Sequence, residues 1–531
     1  MIRAGLLLLL LFQIPAYAQR DAGNPVGGPT ERFDILRAAG VYAAALGFMA
    51  PRILEPVAPP QLIAWGLNGV AAIDPRLRAD IRDGALRLRQ TTGEKAERLL
   101  LSQPIPAGAD LATWARAVAE LQATAFEAST ALQAAGTGGI IRGFFDELFN
   151  HLDPYSRYTP PDEAEDDRTR RAGQAGIGVT LTRRGGQIVV QAATSDGPAT
   201  AEGMRPGDII LSVDGQPTRG KDAATVTRWL QGPEDTGVAL TWRGKDGKPH
   251  TATVSRAMIP PETVRMERIG DLLVLRISDF NNATGQRVAN EIEVGVHGDK
   301  PAQGIVLDLR GNRGGVLRQA QFVADTLLGP GIIASTLGRD PDASRVLRST
   351  SGDLAEYVPV VVLVDGRTAS AAEVLAAALA DRGRAVVVGS TTLGKGLVQT
   401  ITPLPDGGEL RVTWSRIIAP RGWPIQALGV LPQICTSLGP ESVAQQIAEL
   451  TAGRAPMAAA MARHHAARPP VTPQQALSLR TACPAAEGRD TDIGVARLLV
   501  DSPAIYAAAL LGSPREAAAE APVAAPAPRK P

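Results

Sequence analysis

One stretch limits what this chain can fold into: VPVVVLVDGRTASAAEVLAAALADRGRAVVVGSTTLGKGLVQ, residues 358–399. Its apolar, β-branched run Val360–Val364 carries the signal of a buried strand. Asp365 and Gly366 interrupt the run. Residues 369–381 are rich in Ala, Leu and Glu, which favour helix, and Gly383 follows as a C-cap. Ser370 is therefore expected where a strand turns into a helix, at an N-terminus whose free N–H groups and dipole favour negative charge. A further strand over residues 385–388 runs into a Gly/Thr loop that carries Lys395, and Gln399 lies four residues on.

A serine hydroxyl is a poor nucleophile until a base takes its proton. A lysine serves as that base when neutral, and burial lowers its pKa. The residues next to Lys395 in sequence (Leu393, Gly394, Gly396, Leu397, Val398) include no carboxylate to hold it charged. Gln399 offers an amide to position the lysine, and the backbone N–H of Ala371 and one from the Gly314-Gly315 turn are candidates for an oxyanion hole. Plainer readings stand beside this one. A serine at a helix start is commonly an N-cap. The segment 389–395 nearly fits a phosphate-binding P-loop, but Gly396 stands where that motif needs Ser or Thr. G-x-S-x-G is absent, and none of the five histidines (His151, His250, His297, His464, His465) is near Ser370 in sequence.

At 531 residues the chain calls for two to four domains. A formal net charge of +1 gives no reason to expect nucleic acid or an anionic membrane as partner. Arg3, the apolar run 6–14 and the Ala16-Tyr17-Ala18 site form a secretory signal peptide over residues 1–18, the alternative being an uncleaved anchor; no later stretch is long and apolar enough to span a bilayer. Secretion places the protein in the periplasm or outside the cell. There Cys435 and Cys483 either pair and staple the C-terminal region or remain two thiols. No Cys/His cluster has metal-ligand spacing. Residues 32–160 read as a helical N-terminal region, with helical apolar spacing over 80–101 and 111–132. After 432 helices are expected over 441–451, 473–481 and 493–500, and a disordered Ala/Pro tail over 513–531.

Residues 172–257 form a β-rich module containing GPATAEGMRPGDIILSVDGQPT (197–218), a short helix over 222–230 and a closing hairpin. The module resembles a PDZ domain, which adds a peptide to a sheet edge and captures its terminal carboxylate on backbone N–H groups. Gly176, Ile177, Gly178 and Val179 resemble that carboxylate-binding loop. From 262 to 434 strands and helices alternate, which means α/β layers.

Six motifs in order resemble the C-terminal processing peptidases, or tail-specific proteases: LDPYSRY (152–158), the PDZ module, LDLRGNRGG (307–315), TASAAEVLAAAL (368–379), TLGKGLVQ (392–399) and RGWPIQALGVLP (421–432). The resemblance implies a serine endopeptidase with a crotonase-like α/β core, a mainly β PDZ domain and helical N- and C-terminal regions. It implies Ser370 as nucleophile, Lys395 as general base, Gln399 orienting the lysine, and Gly314 or Gly315 with Ala371 as oxyanion donors. Its parts would be a helical region (32–160), a PDZ domain (172–257), a Ser-Lys core (262–434) and a helical C-terminal region (435–512). No metal, ATP or organic cofactor is implied. The implied partners are proteins or peptides with apolar C-termini, with room for an adaptor or activator protein and for a homo-oligomer. The chain departs from the family pattern at Tyr155 (commonly His), Arg313 (commonly Pro), Ala372 (commonly Ser) and Gln433 (commonly Asp). A catalytically inactive PDZ scaffold on the same fold is the alternative.

Overall fold

Parallel strands covered on both faces must be apolar along their whole length, and the computed structural model places Val360–Val364 in that situation. It describes residues 32–511 apart from 93–95, 107 and 195–196. The signal-peptide reading of 1–18 and the tail reading of 513–531 lie outside the described residues.

The central sheet runs in the order Val264–Ile269, Leu272–Ile277, Gly304–Asp308, Val360–Val364, Ala385–Gly389, Ile434–Cys435. The first pair is antiparallel and the rest are parallel. Side chains alternate between the two faces. Ile305, Leu307, Val360 and Val362 pack under the helices Thr284–His297, Leu317–Thr326 and Ala371–Asp381. Val306, Val361 and Val386 pack on Val443, Val495 and Leu499, from the helices Pro440–Thr451 and Asp490–Asp501. Pro440–Thr451, Asp490–Asp501 and Pro503–Ala509 thus cover the second face of the central sheet, while Ala458–His465 packs elsewhere, around Met461 and Cys483; Ala458–His465 and Pro503–Ala509 were not anticipated. Every residue of Ala371–Asp381 is buried, which suits its run of small alanines between sheet and neighbouring helices.

A second sheet joins Arg345–Ser349, Gly331–Gly338, Glu409–Ile418 and Leu397–Pro403. Arg157–Thr159, from the LDPYSRY motif, pairs with Glu409–Ile418 and ties the N-terminal region to the core. The expected strands near 397–404 and 408–418 form one hairpin, whereas Gly331–Gly338 and Arg345–Ser349 carry no clean sequence signal.

The N-terminal region is helical over Ile35–Arg52, Pro59–Leu67, Leu111–Ala128 and Thr130–Phe149, around buried Tyr42, Phe144 and Phe145. The helix expected over 80–101 is not there. Leu77–Arg82, Ala85–Thr91 and Glu97–Pro104 form an antiparallel sheet. Asp83 and Gly84 both take positive φ (52° and 69°), as a tight hairpin turn requires. Leu86 and Leu88 are buried while Arg87 and Arg89 between and beyond them are not, a period of two rather than 3.6.

In the β-rich module the sheet order is Pro249–Ser255, Gly237–Arg243, Ile209–Val213, Gln187–Ala193, Val179–Arg184, so Val179–Arg184 is an edge. The entering and leaving chains pair as a ribbon, Gln174–Gly176 with Ala257–Ile259. Arg256 anchors this ribbon by donating to Leu230 O and Trp229 O at the end of the helix Ala223–Leu230.

Cys435 and Cys483 form a disulfide across a sequence separation of 48. It ties the segment that begins at Cys483 to the strand Ile434–Cys435, and separate hydrogen bonds tie that segment to the loop that leads to Lys395: Thr391 Oγ1 donates to Cys483 O (2.5 Å) and Ser390 Oγ to Ala486 O (2.8 Å). Replacing both cysteines by serine is expected to cost about 2–4 kcal/mol of stability, read as a lower melting midpoint than that of the oxidised protein. An unchanged midpoint would mean that the segment is held without the bond.

Candidate active site

Because Gly304–Asp308, Val360–Val364 and Ala385–Gly389 are parallel, the loops that follow them leave the same edge of the sheet. Ligand sites in open α/β sheets form at that carboxyl edge. The three loops carry RGNRGG, DGRTAS and STTLGK. They are cross-braced: Asp365 Oδ1 accepts from Gly311 N (3.0 Å) and Thr368 N (2.9 Å), Ala369 N donates to Asn312 O (2.9 Å), and Asn312 Nδ2 donates to Ile277 O (2.8 Å).

Ser370 sits at the strand-to-helix turn with φ 58° and ψ −120°. A non-glycine residue with positive φ is strained, and such strain persists only where the surroundings impose it. Here they do. A Cβ on Gly314 would lie 2.7 Å from Ser370 Cβ, so that glycine lets the loop close onto the serine turn, while one on Gly315 would lie 2.2 Å from Phe280 O, where the loop packs on the segment Asp279–Phe280.

The residue that joins the serine to the lysine loop is Glu373, which is fully buried. Its Oε2 accepts from Ser370 N (2.7 Å) and Lys395 N (2.9 Å). Its Oε1 accepts from Thr392 Oγ1 (2.5 Å) and Gly394 N (2.7 Å). Burial pushes its pKa up, and these four donors oppose that by favouring the carboxylate. The sequence reading gave Glu373 no role, although Ser-x-x-Glu at a helix start is the capping-box pattern.

Ser370, Lys395 and Gln399 line one cleft of about 990 Å³, with apolar wall from Phe280, Val316, Val398 and Ile401. Burial holds the half-buried Lys395 below the usual lysine range, reinforced by the charges of Arg157 and Arg411. Two carboxylates do approach it from distant segments, Glu373 and Asp153, and partly offset that lowering. Its ammonium rests on the ring of Tyr155, 4.8 Å from the centroid. Gln399 Nε2 donates to Leu397 O (3.0 Å) and Thr413 Oγ1 (3.1 Å), so its amide is anchored to its own hairpin; among the described residues no hydrogen bond links it to Lys395. Of the three oxyanion candidates, Gly315 borders the cleft beside Ser370. The Gly314 N–H is engaged by Asn312 Oδ1 (2.8 Å). Ala371 opens the helix, where an N–H has no intrahelical acceptor.

A second cavity of about 530 Å³ is lined by Gly176, Ile177, Gly178 and Val179 together with Thr227 and Leu230. It lies between the edge strand Val179–Arg184 and the helix Ala223–Leu230. Thr169, Gln174 and Gln231 line both cavities, so the two adjoin.

Ser370, strained at its turn, and Lys395 line one cleft with apolar wall, beside a groove with a free strand edge. Residues 271–436 match Peptidase family S41 and residues 189–244 match a PDZ domain. The carboxy-terminal-processing protease of Bartonella bacilliformis is 35% identical over 301 residues, which is 56% of this chain and 69% of that one. A probable CtpA-like serine protease of Staphylococcus saprophyticus is 31% identical over 283 residues, 53% of this chain and 57% of that one. The solved photosystem II D1 C-terminal processing protease is 30% identical, covering 58% of this chain and 85% of that chain with a TM-score of 0.34. The chain belongs to peptidase family S41, with carboxy-terminal-processing proteases as its relatives, and it is a serine peptidase with a PDZ domain.

Glu373→Gln is expected to reduce kcat by roughly ten-fold or more while the fold remains. The glutamine amide would set N–H groups against donors, leaving at least one buried donor unmet at about 1–3 kcal/mol. Peptide cleavage alongside a thermal melt checks this; full activity would mean that the carboxylate is dispensable.

Proposed function

We propose that this protein is a secreted, periplasmic endopeptidase that takes hold of a substrate C-terminus in its PDZ groove and cleaves nearby through a Ser370–Lys395 dyad. The observation that carries the reading is the joint placement of Ser370 and half-buried Lys395 in one cleft, their backbones tied by Glu373. The free edge Val179–Arg184 supports the binding half, since an extended peptide adds to such an edge. The leader over residues 1–18 supports export. Among the described residues no helix is long and apolar enough to cross a membrane.

In the proposed reaction neutral Lys395 takes the Ser370 proton as Oγ attacks the scissile carbonyl. The N–H groups of Gly315 and Ala371 receive the developing oxyanion. Collapse breaks the C–N bond, and Lys395 returns its proton to the departing amine, which leaves with the C-terminal piece. Lys395 then activates water, which hydrolyses the acyl-enzyme and restores Ser370. Gln399 belongs to this site as the side chain that steadies the hairpin beneath the lysine. The apolar wall of the cleft suits substrates with apolar residues near the cut.

An unstructured peptide ending in small apolar residues, with free or amidated C-terminus, tests the reading. Wild type is expected to cut the free acid faster. Ser370→Ala is expected to abolish cleavage, and Lys395→Ala to lower it roughly 100- to 10,000-fold, with melting unchanged. Binding of the free C-terminus without any cleavage would favour the inactive-scaffold alternative.

The pH dependence has a definite sign. A base must be neutral to act, so kcat/KM should rise with pH, with its midpoint below the ordinary lysine value of 10.5. Arg157→Gln removes a nearby positive charge, lets Lys395 keep its proton to higher pH, and should move the midpoint up. A midpoint that moves down or stays would contradict the electrostatic assignment.

A further inference from the structure

The LDPYSRY motif lies far from Ser370 and Lys395 in the chain, and the reaction steps above give its Tyr155 no part. In space it forms a pedestal. Asp153 Oδ1 accepts from Tyr155 N (2.9 Å), Ser156 N (3.1 Å) and Thr413 Oγ1 (2.7 Å), and Asp153 Oδ2 accepts from Ser156 Oγ (2.6 Å). Thr413 N donates in turn to Ser156 Oγ (2.9 Å). These bonds fasten the turn that bears Tyr155 to Glu409–Ile418, the hairpin partner of the strand that starts just after Lys395. The outer end of Tyr155 is held as well: its hydroxyl faces the side chain of Gln426, whose Oε1 accepts from Gly396 N (2.9 Å).

The ring so held lies beneath the Lys395 ammonium at 4.8 Å, within the range of a cation–π contact. Among the described residues the ammonium makes no hydrogen bond or ion pair, so the ring is its anchor. We propose that Tyr155 is a positioning residue for the peptidase reaction: its ring fixes where the lysine base waits and steadies the protonated lysine until substrate enters the cleft. This inference rests on the Ser-Lys reading. Burial, with Arg157 and Arg411 behind it, drives the proton off Lys395, while Glu373 and Asp153 hold it on. The ring joins the holding side, because its face attracts the ammonium and not the neutral amine.

The test compares Tyr155→Phe, Tyr155→Leu and Tyr155→Met with wild type, by the pH profile of kcat/KM and by the pH dependence of Ser370 labelling with a serine-directed acylating reagent. Phe keeps the aromatic face and should keep the wild-type midpoint. Leu and Met remove it. Their midpoints should fall by roughly half a pH unit, as expected for an exposed to half-buried cation–π contact. Their kcat should drop roughly ten-fold at the plateau while KM for the peptide changes little. Thermal melts identify any variant that fails to fold, and the other ring-free variant then carries the comparison. The proposal is overturned if the ring-free variants keep the wild-type midpoint, or if Phe behaves as they do. Lys395→Ala run in parallel separates the two readings. An active Lys395→Ala overturns the dyad itself, whereas an inactive one with an unmoved Leu midpoint overturns only the role of Tyr155.

Discussion

The carboxylate of Glu373 has no solvent to turn to, and its four hydrogen bonds come from two different chain segments. Ser370 supplies its N–H from the strained turn, while Thr392, Gly394 and Lys395 donate from the loop after the next strand. A buried ionised group is costly unless fully satisfied, and once satisfied it resists every displacement of its partners. The spacing between Ser370 and Lys395 is therefore set through the backbone, by an acid that accepts from both of their N–H groups. The loop cannot drift from the helix start without stranding a charge in the core.

That arrangement depends on the parallel sheet. Only parallel neighbours deliver successive loops to one edge, and only a strand covered on both faces can be as uniformly apolar as Val360–Val364. The second cover comes largely from the C-terminal region, whose Val495 and Leu499 pack on Val306 and Val361. Each such aliphatic side chain contributes roughly 1.5–3 kcal/mol on burial. The same region reaches the active-site loops: Gly488 N and Gly311 N both donate to Asp365, the residue that shapes the turn before Ser370. The helices Pro440–Thr451 and Asp490–Asp501 and the segment after Cys483 thus help to hold the sheet and loops that carry Ser370 and Lys395.

Legibility in the sequence followed the range of the interactions. The strand, the alanine-rich helix and the position of Ser370 between them were readable because each is decided by neighbours along the chain. The PDZ module and the RGNRGG loop were readable for the same reason. The stretch after Leu77 misled because leucines and arginines alternate there in a way that also satisfies helical spacing; Asp83-Gly84 was the deciding signal for a hairpin. The environment of Lys395 was not legible. Its sequence neighbours include no carboxylate, yet Asp153 and Glu373 reach it through the tertiary fold, as do Arg157, Arg411 and the Tyr155 ring. Gln399 illustrates the converse. Its place in the cleft was anticipated, but its amide is committed to Leu397 and Thr413.

In the proposed mechanism Lys395 stands between opposing demands. To accept the seryl proton it must be neutral, which burial and two arginines promote. To return that proton to the leaving amine it must first hold it, which the carboxylates and the aromatic face promote. A base made too acidic by desolvation alone would hold the proton too weakly, and one paired directly with a carboxylate would never release it. Burial and two arginines lower the lysine's hold on its proton, while a polarisable ring rather than an anion lies against the ammonium. In the proposed cycle this single lysine serves as base in one half and as acid in the other.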